Sequence, residues 1–442
     1  MDATIVKTPI GFFHGNKREK CLEFLSIPYA HAGRFEYATP QTEYGDFDAT
    51  KHGPSCMQKR AYPEFEHLEV PERAFYHREF RENNTFTYEE DALHLNIYRP
   101  LEEGKYPVIV YFHGGGFDSG SIHESPFDGQ ELASRGNIVV FAAYRVAIFG
   151  YFTHEDIQKE EGRDGNFGLD DMLVVLGWVK QNIGHFGGDA HNITLMGQSA
   201  GAMSIQYLLC SDKAKGLFDK AIMMSGAGLF PKFSLPRPCE QTREYWQEVM
   251  AIAGAKTLAE FKALPAKELL AAVEVQKGKR KDNAYNTMPV IDHYILEKPI
   301  DIAIKTPMEL PLMIGFTNND MFTFLLAHIA SKYAKKHSAY LYYFDIDAKG
   351  DDNQAFHSCD LRYMFGTLRS SWRPYGESDF KASRMMMDYV SAFAKTGDPN
   401  HDGAPRWERY HGKPLRFGDD GVSMRKPKTM KLLRNTLKGD PK

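Results

Sequence analysis

The stretch Asn192-Ile193-Thr194-Leu195-Met196-Gly197-Gln198-Ser199-Ala200-Gly201 joins a short apolar run to a serine flanked at plus and minus two by glycine, and helical texture begins near Ala202. A buried strand that turns sharply into a helix, with G-x-S-x-G at the turn, holds its serine in strained backbone angles. The hydroxyl then stands clear of the chain, and the small flanking residues let neighbouring elements approach. Ser199 is therefore the candidate nucleophile. The five-residue pattern alone recurs by chance, so the strand before it and the helix after it carry the argument.

Outward from this turn, apolar runs at 108–112, 138–143, 193–196 and 221–224 alternate with helical stretches. The clearest helix covers 169–182, with Leu173, Leu176, Val179 and Ile183 at helical spacing. Short apolar runs separated by helices predict parallel strands buried on both faces, which is the α/β class: a central, mostly parallel sheet with helices on each side. Residues 4–99 read as an antiparallel lead-in of short β segments interrupted by Pro and Gly, ending in a strand at 95–98. The region 227–290 reads as a helical insertion, with amphipathic patterns at 240–253, 258–264 and 266–275. Strand texture returns at 310–314 and 339–344 with a helix at 321–336 between, and a last helix covers about 379–395. Without repeats or low-complexity stretches, 1–442 reads as a single catalytic domain.

A second feature is His113-Gly114-Gly115-Gly116-Phe117, directly after the strand that ends at Phe112. A glycine cluster at a strand end is commonly only a flexible turn. Paired with a nucleophile turn downstream, it offers backbone N–H groups of Gly115 and Gly116 that converge with that of Ala200 on a developing oxyanion. Losing one such donor typically lowers the rate by about 10² to 10³.

When the nucleophile sits on such a turn, the acid and then the base follow it in chain order, in loops after strands. Asp320 lies in Ile314-Gly315-Phe316-Thr317-Asn318-Asn319-Asp320, just past a strand, where it also suits the role of cap for a helix starting at Met321. His357 follows the strand 339–344 and a Gly/Asp-rich loop. It is the expected base, with His293 and His328 as the other downstream histidines considered.

Composition excludes several functions. The 442 residues carry 54 basic and 58 acidic side chains, a net charge of -4, so no positive field marks a nucleic-acid partner. The basic stretch 425–442 reads as a solvated end. The apolar runs are far too short for the ~20 residues a bilayer span needs, and no secretory signal pattern opens the sequence. Five scattered cysteines without a C-x-x-C pair suggest neither a metal site nor a disulfide framework, and a cytoplasmic location is expected.

Taken together these motifs resemble the type-B carboxylesterase/lipase family, which includes cholinesterases and bacterial p-nitrobenzyl esterases. The resemblance continues through Ser26-Ile27-Pro28-Tyr29-Ala30 with Arg34-Phe35, and through Glu90-Asp91-Ala92-Leu93-His94-Leu95-Asn96-Ile97-Tyr98. It runs on in Gly165-Asn166-Phe167-Gly168-Leu169-Asp170, Phe186-Gly187-Gly188-Asp189, Ser225-Gly226 and Thr396-Gly397-Asp398-Pro399-Asn400. It implies the α/β-hydrolase fold, a triad of Ser199, Asp320 and His357, and a structural ion pair between Arg34 and Glu90. On this resemblance Asp320 stands where the family usually has Glu, so its loop is expected to sit closer to His357. Ala92 takes the place of a cysteine that secreted members pair with the one at Cys56. Gln198 replaces a frequent Glu, and no Trp lies between residues 57 and 90 to bind a choline-like cation. With 357 − 320 = 37 positions between acid and base, much of the family's helical cover is missing and a shortened cover at about 321–338 remains, predicting a reduced cap and an open cleft.

The expected activity is hydrolysis of carboxylic esters, with short to medium acyl or aryl groups, through an acyl-enzyme and without metal or cofactor. The partner is then a small-molecule ester, its pocket built from 227–290 and the shortened cover; oligomeric state is not legible. The alternatives are a catalytically silent, cholinesterase-like binding protein, or a triad hydrolase acting on amide, carbamate or lactone bonds.

Overall fold

Side chains along the strand Tyr106–Phe112 divide between two buried clusters. Val108, Val110 and Phe112 join one, and Ile109 and Tyr111 the other, so the sheet is covered on both faces. Each such side chain taken from water contributes about 1.5–3 kcal/mol. The continuous apolar runs follow from this two-sided burial.

The computed structural model describes residues 3–228, 235–279, 287–300, 309–321 and 323–426, with backbone alone at 323 and 324. The basic stretch from 427 onward and the parts of the insertion at 229–234 and 280–286 lie outside the described residues.

The main sheet has 11 strands. Its order runs Gly421–Met424, Leu415–Gly418, Tyr340–Asp345, Leu312–Thr317, Lys220–Met224, Gly188–Gln198, Tyr106–Phe112, Ile138–Ala142, His94–Pro100, Cys21–Pro28 and Asn16–Lys17. Neighbours from Leu415–Gly418 to Ile138–Ala142 are parallel, and the remaining pairs at both ends are antiparallel. The lead-in departs from the antiparallel expectation in two places, one of them the short parallel pair of Ser55–Cys56 with Tyr88–Glu89. Ile5–Thr8 and Gly11–His14 form a hairpin, but Gly45–Asp48 joins Gly11–His14 in parallel. A long connection permits that arrangement where a tight turn does not.

Helix Phe167–Asn182 begins at Asn166, whose side chain exchanges two hydrogen bonds with the backbone of Val290 at 2.7 and 2.8 Å. The insertion supplies helices Cys239–Ile252, Leu258–Ala263 and Ala266–Lys279. They pack on the body through a third cluster that includes Phe35, Phe149, Phe152, Trp246 and Phe261. The last long helix, Glu377–Thr396, ends at Gly397, whose φ of 80° suits a left-handed C-cap.

Parallel register brings the strand ends level: Phe112 faces Gly197, Gln198 faces Met224, and Met224 faces Gly315. The loops after these strands therefore gather at the carboxyl edge of the sheet, where open α/β sheets place their ligands.

Candidate active site

Ser199 occupies the bend between Gly188–Gln198 and Ala200–Leu209 with φ 53° and ψ −122°. A residue with a Cβ pays about 1–3 kcal/mol to adopt such angles, and tight packing keeps it there. The Ser199 N–H donates to the Met224 carbonyl at 2.8 Å. At Gly201 a Cβ would lie 2.1 Å from the Phe112 carbonyl oxygen, so only glycine lets the helix approach the neighbouring strand this closely.

The expected acid and base meet. His357 Nδ1 donates to Asp320 Oδ1 at 2.5 Å, with both residues buried. Asp320 is held by further donors: Ser225 Oγ at 2.6 Å and the Thr317 N–H at 3.0 Å on Oδ2, and the Met321 N–H at 2.9 Å on Oδ1. The two loops are zipped together just beside this pair. The Asn319 N–H donates to the Ala355 carbonyl at 2.9 Å and its side chain to the Asn353 carbonyl at 3.0 Å, which offsets the shorter reach of an aspartate. His293 and His328 are exposed and line no part of the site.

His357 Nε2 lies 3.1 Å from Gln198 Nε2, which donates to its lone pair. Among the described residues no hydrogen bond joins Ser199 Oγ to the imidazole, although both face one cavity of about 430 Å³. Catalytic hydrogen bonds are often long in a free enzyme and tighten only with substrate bound. Room for the Gln198 side chain is provided by Gly114, where a Cβ would meet its Oε1 at 2.7 Å.

Gly115 and Gly116 line the same cavity with φ of 118° and 63°. Among the described residues nothing accepts from their N–H groups or from that of Ala200. His113 is buried, and desolvation pushes its pKa down to about 4. The neutral ring stacks on Tyr144 at 4.4 Å and donates from Nδ1 to the Gly114 carbonyl at 2.8 Å, bracing the start of the glycine loop.

The walls differ from the sequence expectation. Among the described residues none of 227–290 lines the cavity, and only Met321 comes from the cover after Asp320. The wall is instead built from residues 59–81, including Tyr76, Phe80 and Arg81, together with Glu124 and Phe127. Two ion pairs run through it, Arg60 with Glu124 at 2.7 Å and Arg81 with Glu66 at 2.6 Å. Burial raises the Glu124 pKa despite its arginine partner. Away from the cavity, Arg34 forks onto Glu90 and also donates to the Lys262 carbonyl at 2.8 Å and to that of Leu264, tying the lead-in to the insertion.

The carboxylesterase family profile matches residues 2–337 and 322–432. The chain belongs to the carboxylesterase family. A para-nitrobenzyl esterase of Bacillus subtilis (strain 168) is 29% identical, covering 93% of this chain and 93% of its own length. Carboxylesterase 5A of Canis lupus familiaris is 27% identical over 92% of this chain and 84% of its own. Among solved structures, a PNB esterase superposes with a TM-score of 0.84 at 26% identity, covering 98% of this chain and 99% of that one. The family member described here is accordingly a serine carboxylic-ester hydrolase of the α/β-hydrolase fold.

Ser225 and Gln198 are site residues whose contacts were not legible in the sequence. Ser225-Gly226 marks the end of a strand, but nothing in the spacing says that its hydroxyl meets a carboxylate 95 positions later.

Proposed function

We propose that Ser199, His357 and Asp320 carry out two-step acyl transfer on esters of short to medium acyl or aryl groups. The observation that carries this reading is the buried His357–Asp320 contact at 2.5 Å, at the wall of the cavity that Ser199 shares. With Nδ1–H committed to Asp320, the Nε2 lone pair is the one available to take a proton, as the Gln198 contact illustrates. Rotation of the Ser199 side chain toward Nε2, displacing Gln198, completes the relay. Attack on the ester carbonyl then moves the serine proton to His357. The tetrahedral oxyanion is received by the N–H groups of Gly115, Gly116 and Ala200. Collapse returns that proton to the leaving alcohol, and a water, deprotonated by the same ring, releases the acid.

A cavity of about 430 Å³ with Tyr76, Phe80, Phe127 and Leu361 on its walls suits a modest acyl or aryl group. A reducing, cytoplasmic setting is part of the same reading: all five cysteines are free thiols, and Cys56 Sγ sits 3.5 Å from the carbonyl of Ala92.

The test is Ser199→Ala. Hydrolysis of p-nitrophenyl butyrate is expected to fall by about 10³ to 10⁶-fold in a variant with unchanged circular dichroism. An unchanged rate would remove Ser199 from the mechanism.

A further inference from the structure

Asp118 follows the glycine loop directly, in Gly115-Gly116-Phe117-Asp118, and is buried beside the cavity. Two ammonium groups clamp its carboxylate: Lys59 Nζ lies 2.9 Å from Oδ2, and Lys277 Nζ 3.0 Å from Oδ1. Lys277 belongs to the insertion helix Ala266–Lys279 and also meets Glu274 at 3.3 Å, which in turn lies 4.0 Å from Lys59. Two positive and two negative charges thus balance where the insertion touches the loop. Burial alone would raise the Asp118 carboxyl pKa, but the lysine charges outweigh it and hold the group well below the usual carboxylate range.

The backbone shows what this clamp controls. The N–H groups of Asp118 and Ser119 both donate to the Gly115 carbonyl at 3.1 Å. That carbonyl and the N–H of Gly116 belong to one planar trans peptide and point in opposite directions. Fixing the Gly115 oxygen in the turn therefore fixes the direction of the Gly116 N–H. Gln58 secures the far end of the turn, accepting from the Gly120 N–H at 2.9 Å and donating to its carbonyl at 2.7 Å.

We infer that Asp118 is a positioning residue for the oxyanion hole: clamped by Lys59 and Lys277, it holds the turn that aims the Gly116 N–H, and so couples the hole to the seating of the helix Ala266–Lys279. The inference rests on the oxyanion reading proposed above. It assigns the insertion a task in the reaction although none of its described residues lines the cavity.

Asp118→Asn keeps the side-chain shape and leaves two ammonium groups facing a neutral amide. The expected result is a fall in kcat for p-nitrophenyl butyrate of about 10 to 100-fold, with KM within about twofold. The Ki of a trifluoromethyl ketone, which binds as a tetrahedral oxyanion, should rise by about the same factor as kcat/KM falls. Lys277→Met should shift kcat and Ki in the same direction by a smaller factor, and Lys277→Arg should restore them. Folded Asp118→Asn with wild-type kcat and Ki would overturn the inference. Should that variant fail to fold, Lys277→Met with wild-type values would overturn it instead. Two controls separate this from the underlying site: a wild-type enzyme insensitive to the ketone, together with an active Ser199→Ala, sinks the oxyanion reading itself. A ketone-sensitive wild type with inactive Ser199→Ala, beside an unaffected Asp118→Asn, sinks the clamp alone.

Discussion

Replacing Asp320 with asparagine preserves shape and removes charge, and the structure indicates how the site responds. Among the described residues four donors meet the carboxylate: His357 Nδ1 at 2.5 Å and the Met321 N–H at 2.9 Å on Oδ1, with Ser225 Oγ at 2.6 Å and the Thr317 N–H at 3.0 Å on Oδ2. Asparagine offers one acceptor oxygen and one NH₂. With the NH₂ at the Oδ2 place, it opposes the Thr317 N–H, donor against donor, at a cost of about 1–3 kcal/mol for the stranded group. With the NH₂ at the Oδ1 place, it opposes the Met321 N–H and donates to His357 Nδ1, which drives the ring proton to Nε2. That tautomer has no lone pair left for Ser199. In both orientations a neutral amide replaces the charge that supports the imidazolium. The expected loss in kcat is about 10⁴-fold, the scale seen for this change in other serine triads. It corresponds to about 5 kcal/mol of barrier at ~1.36 kcal/mol per decade. Stopped-flow hydrolysis of p-nitrophenyl butyrate on a variant with native circular dichroism measures it. A kcat within tenfold of wild type would refute the role given to Asp320.

Three further outcomes are expected. Gly201→Ala places a Cβ 2.1 Å from the Phe112 carbonyl oxygen, so urea unfolding should show a loss of about 1–3 kcal/mol, and kcat should fall by about 10²-fold as the elbow shifts; a neutral variant would contradict the packing argument. His94 is buried, donates from Nε2 to the Pro54 carbonyl at 2.5 Å, and desolvation pushes its pKa from 6.5 down to about 4. A depressed pKa means stability that is present above pH 6.5 and lost as pH falls toward 4. The stability advantage of wild type over His94→Gln should therefore shrink by about 2 kcal/mol between pH 7 and pH 5, and a constant difference would rule this out. Ala92→Cys, whose backbone lies 3.5 Å from Cys56 Sγ and 36 positions along the chain, should form a disulfide under oxidising conditions. Of the six thiols of the variant four should then remain titratable, and stability should rise by about 3–4 kcal/mol; six persistent thiols would show that the site cannot close.

Parts of the fold were legible where one local pattern had one physical cause. The run 108–112 reads as a strand because both its faces are buried, and the structure gives Tyr106–Phe112. The helix expected at 169–182 appears as Phe167–Asn182, and that at 379–395 as Glu377–Thr396. Asp320 and His357 could be named because chain order and loop position narrow the choice, and the structure brings these two together. The cavity wall was illegible for the opposite reason. Residues 59–81 carry two short 3-10 turns and one helix, and their role comes from where the long lead-in folds back across the sheet edge. The expectation that 227–290 would supply the pocket is not met by its described residues. Its helices instead pack against Phe35, Phe149 and Phe152. Charge clusters such as Lys59, Asp118 and Lys277 draw on three distant segments, so no window along the chain contains them.

Hydrolysis by this mechanism depends on Ser199 being an activated nucleophile. Treating the protein with a fluorophosphonate probe and mapping the adduct by peptide mass spectrometry tests this most directly. A single stoichiometric adduct on the peptide containing Ser199, abolished in Ser199→Ala and slowed in Asp320→Asn, is the predicted result. No adduct, or an adduct on another residue while ester hydrolysis proceeds, would contradict it.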